Sequence, residues 1–405
     1  MYRGTFAIVD PLAIRDNVAH LRACLANGVR LLVAVKANGY GHGAEVAARA
    51  ALAGGATDLG VASLEEALEL RRAGIKAPVL VLGPIPVTAF PLAARHHVAV
   101  TMADGPSPSR VPPCESPLQV HIKVDTGMTR LGLRCPEDVV RLARWIEEQP
   151  QLEWAGVFTH LACADAASLE HSEMQIRRFR DVLDALRAAG LEPPLVHAAN
   201  SAATVRRPDW HFDMVRVGIS AYGYPASGDY SLPFALQPAM HVYSFITRVE
   251  EISPGETVGY GATFTARRAT RIATLPVGYA DGYHRVLSNR AHALVRGCRV
   301  PVVGNVCMDQ LMLDVTDVPE VRAGDCVTLF GRAAPDAWNA ETVLNAQPGE
   351  RQSLMETGFA AAKGACLPVL PADELARLAG TISYELLCAV SARVPRLYIG
   401  LGEIE

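Results

Sequence analysis

Eight short apolar runs recur through the first half of the chain, and most are separated by stretches of helical periodicity. They are Arg30–Lys36, Thr57–Ser63, Pro78–Gly83, His97–Met102, Leu118–Asp125, Glu153–His160, Leu195–Asn200 and Met214–Ile219. Continuous apolar runs of this length are what strands buried on both faces require, and parallel sheets bury both faces. Helical patterns at Leu64–Ala73, Pro136–Glu148 and Ser172–Ala189 lie between them. Eight strands alternating with helices point to a (β/α)8 barrel of the TIM type. A doubly wound open sheet has the same alternation, and spacing alone does not exclude it.

The 405 residues are too many for one small core. Beyond about residue 235 the texture changes to alternating, β-branched segments punctuated by Gly and Pro. Val242–Val249, Arg271–Val277, Ala293–Val295, Val300–Val303, Met312–Val315 and Cys326–Phe330 are its candidate strands. The expected division is a barrel over 10–234 and a mainly β domain over 235–405, joined by an N-terminal strand within 1–9 that returns to it. Residues 332–370, rich in Ala, Gly, Asn and Pro, read as an inserted loop with a short helix at Leu354–Lys363.

The net charge of −4 supplies no basic field for nucleic acid or an anionic membrane. The opening MYRGTFAIVDP has no basic segment followed by an apolar run, and no stretch of about 18 apolar residues occurs, so neither a secretory signal nor a membrane span is expected. The nine cysteines are scattered and never form a C-x-x-C pair. That fits a reducing cytoplasm better than a zinc site or a disulfide framework.

The sharpest local signal is AVKANGYGHG, Ala34–Gly43, where Lys36 closes an apolar run before a Gly-rich turn. Active sites of such barrels lie at the C-terminal ends of the strands. Partial desolvation there frees a lysine amine for Schiff-base chemistry. Taken alone, a surface lysine in a tight loop is the plainer reading. Eight further motifs follow: KVDTGMTRLG (Lys123–Gly132), GVFTHLACAD (Gly156–Asp165), HAANSAAT (His197–Thr204), RVGISAYG (Arg216–Gly223), VGYGATF (Val258–Phe264), VGYADGY (Val277–Tyr283), GNVCMDQ (Gly304–Gln310) and GTISYELLCAVSARVPR (Gly380–Arg396). In type and order they resemble the alanine racemases, which depend on pyridoxal 5′-phosphate, and the resemblance runs from about residue 5 to 397 outside the insertion.

The resemblance implies the following roles. Lys36 carries the cofactor and serves as one base; Tyr260 is the second, and two bases are needed to take a proton from one face of the α-carbon and return one to the other. Tyr40, Ser201, backbone groups of Gly218 and Ile219, and Tyr384 hold the phosphate. Arg216 faces the pyridine nitrogen, and His160 orients it. An arginine can only donate, so that nitrogen stays unprotonated. Arg130 binds the substrate carboxylate, Met308 adds a backbone N–H and bulk, and Tyr279 sits at the entrance. Lys123 is a candidate for carbamylation that would steady Arg130; a plain strand lysine is the alternative. The family pattern further implies a homodimer in which Tyr260 and Met308 reach the partner's site, and a supply of D-alanine for peptidoglycan. No metal is called for.

Two residues depart from the pattern: Thr129 stands where the family often has Gly, and Asn305 where many members have Arg. Both leave the substrate range open. A serine or broad-spectrum amino-acid racemase with the same two bases is the nearest rival, because an apolar wall rejects one hydroxyl poorly. A decarboxylase on the same barrel lacks its expected late cysteine motif here. A non-catalytic cofactor-binding protein would not need the second domain.

Overall fold

The computed structural model describes residues 3–104 and 111–404. It divides into two units, Ala13–Gln237 and the segment up to Leu12 joined to Pro238–Glu403. Strand β1 (Thr5–Val9) belongs to the latter. The next eight strands form a closed parallel barrel: β2 (Arg30–Ala34), β3 (Asp58–Val61), β4 (Val79–Val81), β5 (Val98–Met102), β6 (Leu118–Lys123), β7 (Leu152–Phe158), β8 (Val196–His197) and β9 (Met214–Val217). Pairing of Arg30–Val33 with Met214–Val217 closes the ring and settles barrel against open sheet. Leu32, Leu80, Ala99 and Met214 pack in its interior, each such burial contributing about 1.5–3 kcal/mol for a large side chain.

Each of the eight apolar runs coincides with a barrel strand, β7 beginning one residue before its run, and several strands stop short of the run's end. The ladder ends at Ala34, Lys123, Phe158, His197 and Val217, leaving Lys36, Asp125, His160, Asn200 and Ile219 beyond it. Those residues leave the sheet to form the loops at the C-terminal mouth. Helices Leu64–Arg72, Pro136–Glu147 and Glu170–Ala188 lie close to where periodicity puts them. Ser63 caps the first of these by accepting from the Glu66 N–H.

In the other unit, β1 pairs antiparallel with β10 (Met240–Phe245) and parallel with Arg396–Tyr398. Positions 1 and 2 of the expected N-terminal strand lie outside the described residues. The main sheet also contains His292–Val295, Cys298–Pro301 and Cys326–Arg332; a three-stranded sheet of Arg248–Ile252, Thr270–Leu275 and Leu311–Asp314 accompanies it. Residues 332–370 are not a loop. They form helices Ala340–Asn345 and Pro348–Gly364, and Trp338, Val343, Met355 and Phe359 join Phe6, Ile8, Tyr243 and Phe245 in one core cluster. The helix at Leu354–Lys363 is real but longer than expected. Only Met355, Phe359 and Ala362 of this helix are buried, so its apolar pattern is weak.

Candidate active site

After β2 the backbone turns the wrong way for L-residues. Ala37, Asn38 and Gly39 take left-handed helical angles, with φ of 51°, 53° and 60°, and Tyr40 continues at 53°. Each non-glycine residue there costs about 1–2 kcal/mol, and the surroundings offset it. Glu66 accepts from the N–H groups of Ala37 and Ala62, the Asn38 side chain accepts from Ala44 N–H, and the His42 ring lies 3.0 Å from the carbonyls of Gly39 and Tyr40. The turn leaves Lys36 half-buried and swings the Tyr40 ring inward against Tyr222, with centroids 4.8 Å apart.

The Tyr40 hydroxyl ends at Gly218, where a Cβ would fall 2.6 Å from it, so any larger residue would have to displace that hydroxyl. Ser201 Oγ accepts from the Gly218 N–H at 2.9 Å, which leaves the serine hydrogen to donate elsewhere. Ser201 opens helix Ser201–Arg206, whose cap is the side chain of Asn200, while Ile219 opens a 3-10 turn. First-turn N–H groups have no partner within the turn. One tyrosine hydroxyl, one serine hydroxyl and the starts of two helical turns thus converge in a cradle that suits a phosphate.

Arg216, on β9, is buried, and all its acceptors are neutral. It donates to the carbonyls of Thr159 (2.7 Å) and Ala198 (3.1 Å), to His197 Nδ1 (2.8 Å) and to His160 Nδ1 (3.2 Å), and its guanidinium lies over Phe158. Burial draws its pKa to about 9, which keeps it charged at neutral pH. Because Arg216 can only donate, His197 carries its proton on Nε2, which donates to His121 Nδ1 at 3.0 Å. Burial first, then the charge of Arg216, holds His160 and His197 well below the usual imidazole value. His121 is pulled to about 3 by burial, then by Arg30 and Arg216. Sequence reasoning gave His121 and His197 no role. Nothing local distinguishes them from ordinary core histidines.

Lys123 ends β6, with Nζ donating to the carbonyls of Val124 (2.6 Å) and Leu131 (3.3 Å). Burial, then Arg216 and Arg130, lower its pKa to about 7, with Asp125 opposing. Asp125 is held below its usual value despite burial, by N–H groups of Thr129 and Gly127 and by Arg134. Thr129 is β-branched yet has φ of 55°, and its hydroxyl accepts from Arg134 Nη2. Arg130 follows it on the exposed face of that loop. Arg216, Arg130, Lys123 and Lys36 all act on His160 through their charge, so the mouth of the barrel gathers cations that suit an anionic ligand. At the other mouth a 270 Å³ cavity lined by Arg30, Asp58, Gln119, His121 and Glu153 lies away from these residues.

Tyr260, Tyr279, Met308 and Tyr384 belong to the other unit. Tyr260 is 75% exposed and Met308 53%. The N–H groups of Tyr279 and Ala280 donate to the carbonyls of Cys307 and Met308, both at 3.0 Å, which sets Tyr279 beside Met308. Buried Asp281 accepts from Gly278 N–H and pairs with Arg3, and Arg393 bridges toward it and Asp309. Tyr384 lies in helix Ser383–Ala389. Among the described residues no cluster of three or more His, Cys, Asp or Glu could hold a metal ion.

Comparison with known proteins places these features in company. The model of the alanine racemase N-terminal domain matches residues 9–226, and that of the alanine racemase C-terminal domain matches 239–353. The chain is 43% identical over 402 residues to an alanine racemase of Symbiobacterium thermophilum, covering 98% of each, and 38% identical over 401 residues to one of Desulfovibrio desulfuricans, again covering 98% of each. Its structure resembles that of alanine racemase from Bacillus anthracis with bound L-Ala-P, at TM-score 0.85 and 36% identity over 98% of this chain and 96% of that one. It resembles the E. faecalis alanine racemase at TM-score 0.84 and 35% identity over 98% of both.

Proposed function

The chain belongs to the alanine racemase family and interconverts L- and D-alanine with pyridoxal 5′-phosphate, and from that premise we propose that Lys36 and Tyr260 are its two bases. When bound, the cofactor acidifies the Cα–H of the amino acid it holds. The residues present fit it: the buried cation Arg216 has only neutral acceptors, and a Cβ at Gly218 would collide with the Tyr40 hydroxyl. Arg216 is the single observation that carries the reading, because a cation held this way is a donor waiting for one more acceptor, here the pyridine nitrogen. His160 helps aim it. Tyr40 and Ser201 would hold the cofactor's phosphate through their hydroxyl hydrogens, with Gly218, Ile219 and Tyr384 completing the cradle.

Arg130 binds the substrate carboxylate, with the Met308 N–H on its other side and Tyr279 at the entrance. The Lys36 amine exchanges a proton with Cα on one face, and the Tyr260 hydroxyl exchanges one on the other. Lys123, with its pKa near 7, presents a substantial fraction of neutral amine at neutral pH. Its nitrogen attacks carbon dioxide, an N–C bond forms, the amine proton leaves to solvent, and the resulting carbamate steadies Arg130.

The exposure of Tyr260 and Met308 supports a homodimer in which each subunit completes the other's site. We further infer a cytoplasmic enzyme that supplies D-alanine for peptidoglycan; no helix among the described residues is long and apolar enough to cross a membrane. Borohydride reduction followed by peptide mapping tests the assignment of Lys36. The cofactor label is expected on the peptide bearing Lys36, and label on another lysine would overturn it.

A further inference from the structure

Tyr260 stands at the tip of a two-stranded hairpin, Thr257–Val258 with Phe264–Thr265. Its own ring is exposed, so side-chain packing within the chain does little to aim it. The backbone beneath it has positive φ at Gly259, Gly261 and Ala262 (71°, 76° and 48°), which the glycines adopt freely and Ala262 only under strain. The bond from Ala262 N–H to the Gly259 carbonyl, at 3.2 Å, is long. Such a tip keeps one conformation only when its surroundings over-determine it.

Two asparagines from neighbouring loops do so. Asn305 Nδ2 donates to the Tyr260 carbonyl at 2.7 Å. Asn289 Nδ2 donates to Thr263 Oγ1 at 3.0 Å, and its Oδ1 accepts from Gly304 N–H at 2.7 Å. The loops are themselves joined, since Val306 N–H donates to Ser288 Oγ at 2.9 Å. The tip is thus tied at Tyr260 and at Thr263, and both ties lead to the 304–306 segment. Below them Val258, Val303 and Met312 pack as one apolar cluster with Phe264 and Cys307. A carbonyl oxygen only accepts, so Asn305 must present its amide NH2 to Tyr260.

We infer that Asn305 and Asn289 are positioning residues for the reaction: they clamp the hairpin tip so that the Tyr260 hydroxyl is delivered at a fixed distance from the α-carbon. A misplacement of about 1 Å can cost on the order of a hundredfold in rate. The inference rests on the reading of Tyr260 as a base. It assigns Asn305 a function through its donor hydrogen, not through its size.

Asn305→Asp tests that distinction in the holoenzyme, because it keeps the shape and replaces the donor with lone pairs that repel the Tyr260 carbonyl. The expected kcat falls at least tenfold, about 1.4 kcal/mol in the barrier, with the KM for alanine within about twofold, because the placement acts in the transition state. With α-deuterated alanine, the primary isotope effect should grow in one direction of racemisation only, because one of two bases is displaced. Amide exchange at 260–263 should quicken at least tenfold while exchange in the barrel is unchanged. Asn289→Ala should quicken the same amides. A variant with full kcat, symmetric isotope effects and unchanged exchange at 260–263 would overturn the clamp. Should the aspartate protein misfold, Asn305→Ala gives the same readings with smaller changes expected in kcat. Tyr260→Phe separates the two ideas: if it racemises at the parent rate, the base assignment is wrong, whereas exchange in the Asn305 variants reports the clamp without reference to activity.

Discussion

Single residues set the electrostatics of the barrel mouth, and Lys123 exposes that setting to titration. Its pKa near 7 in the folded chain compares with 10.5 for an ordinary lysine. Between those values the unfolded chain binds more protons, so native stability rises with pH through the window; below about 7 both states are protonated and the full cost of burial remains. In carbon-dioxide-free, cofactor-free protein, the melting-temperature difference in favour of Lys123→Met should be largest near pH 6 and narrow toward about pH 10. A difference independent of pH would show that Lys123 ionises normally. Where carbon dioxide is present, intact mass should reveal one added carbon dioxide on Lys123. Arg216 supplies the second test at this scale. Arg216→Glu offers the pyridine nitrogen a partner that can hold a proton, so racemisation should drop by roughly a hundredfold or more while pyruvate formed per turnover rises. Faster racemisation without pyruvate would contradict the role given to Arg216.

At the level of elements, the phosphate cradle depends on two turns meeting, the left-handed one after β2 and the 3-10 turn after β9. A methyl group at Gly218 must move the Tyr40 hydroxyl. Gly218→Ala should therefore weaken cofactor affinity at least tenfold, about 1.4 kcal/mol, by titration of the apoprotein; unchanged affinity would remove Tyr40 and Gly218 from the cradle. Trp338→Ala tests the 332–370 segment. Trp338 is enclosed by Phe6, Tyr243 and Phe359, so its loss should cost about 3–5 kcal/mol in urea unfolding, and a cost within about 0.5 kcal/mol would mark the segment as an appendage. The contrast between these elements shows what sequence alone conveys. Barrel strands are legible because both their faces are largely buried, which makes most of their positions apolar. The helix Pro348–Gly364 buries only Met355, Phe359 and Ala362, so its periodicity is faint. In the site, Lys36, Arg216 and Gly218 stand within motifs. The chain from Arg216 through His197 to His121 joins residues 19 and 76 positions apart, and no local pattern announces such a contact. Asn305 was visible as a departure, but its partner was not.

For the whole molecule, the account stands or falls on an active site divided between subunits. Lys36, Arg130 and Arg216 lie in one unit and Tyr260 and Met308 in the other, and the function proposed above requires them to meet across a dimer. Lys36→Ala homodimers lack the cofactor-bearing amine in both sites, and Tyr260→Phe homodimers lack the second base in both. In a mixed dimer with shared sites, one site collects both substitutions and the other collects neither. The decisive measurement is racemase activity after the two inactive variants are dissociated and reassociated together, with subunit exchange followed by intact-complex mass. Random pairing makes about half the dimers mixed, each with one intact site, so activity should recover to roughly a quarter of the parent enzyme if sites act independently. Complete exchange with no return of activity would mean that Lys36 and Tyr260 serve the same subunit's site, and the two-base site shared across a dimer would be wrong.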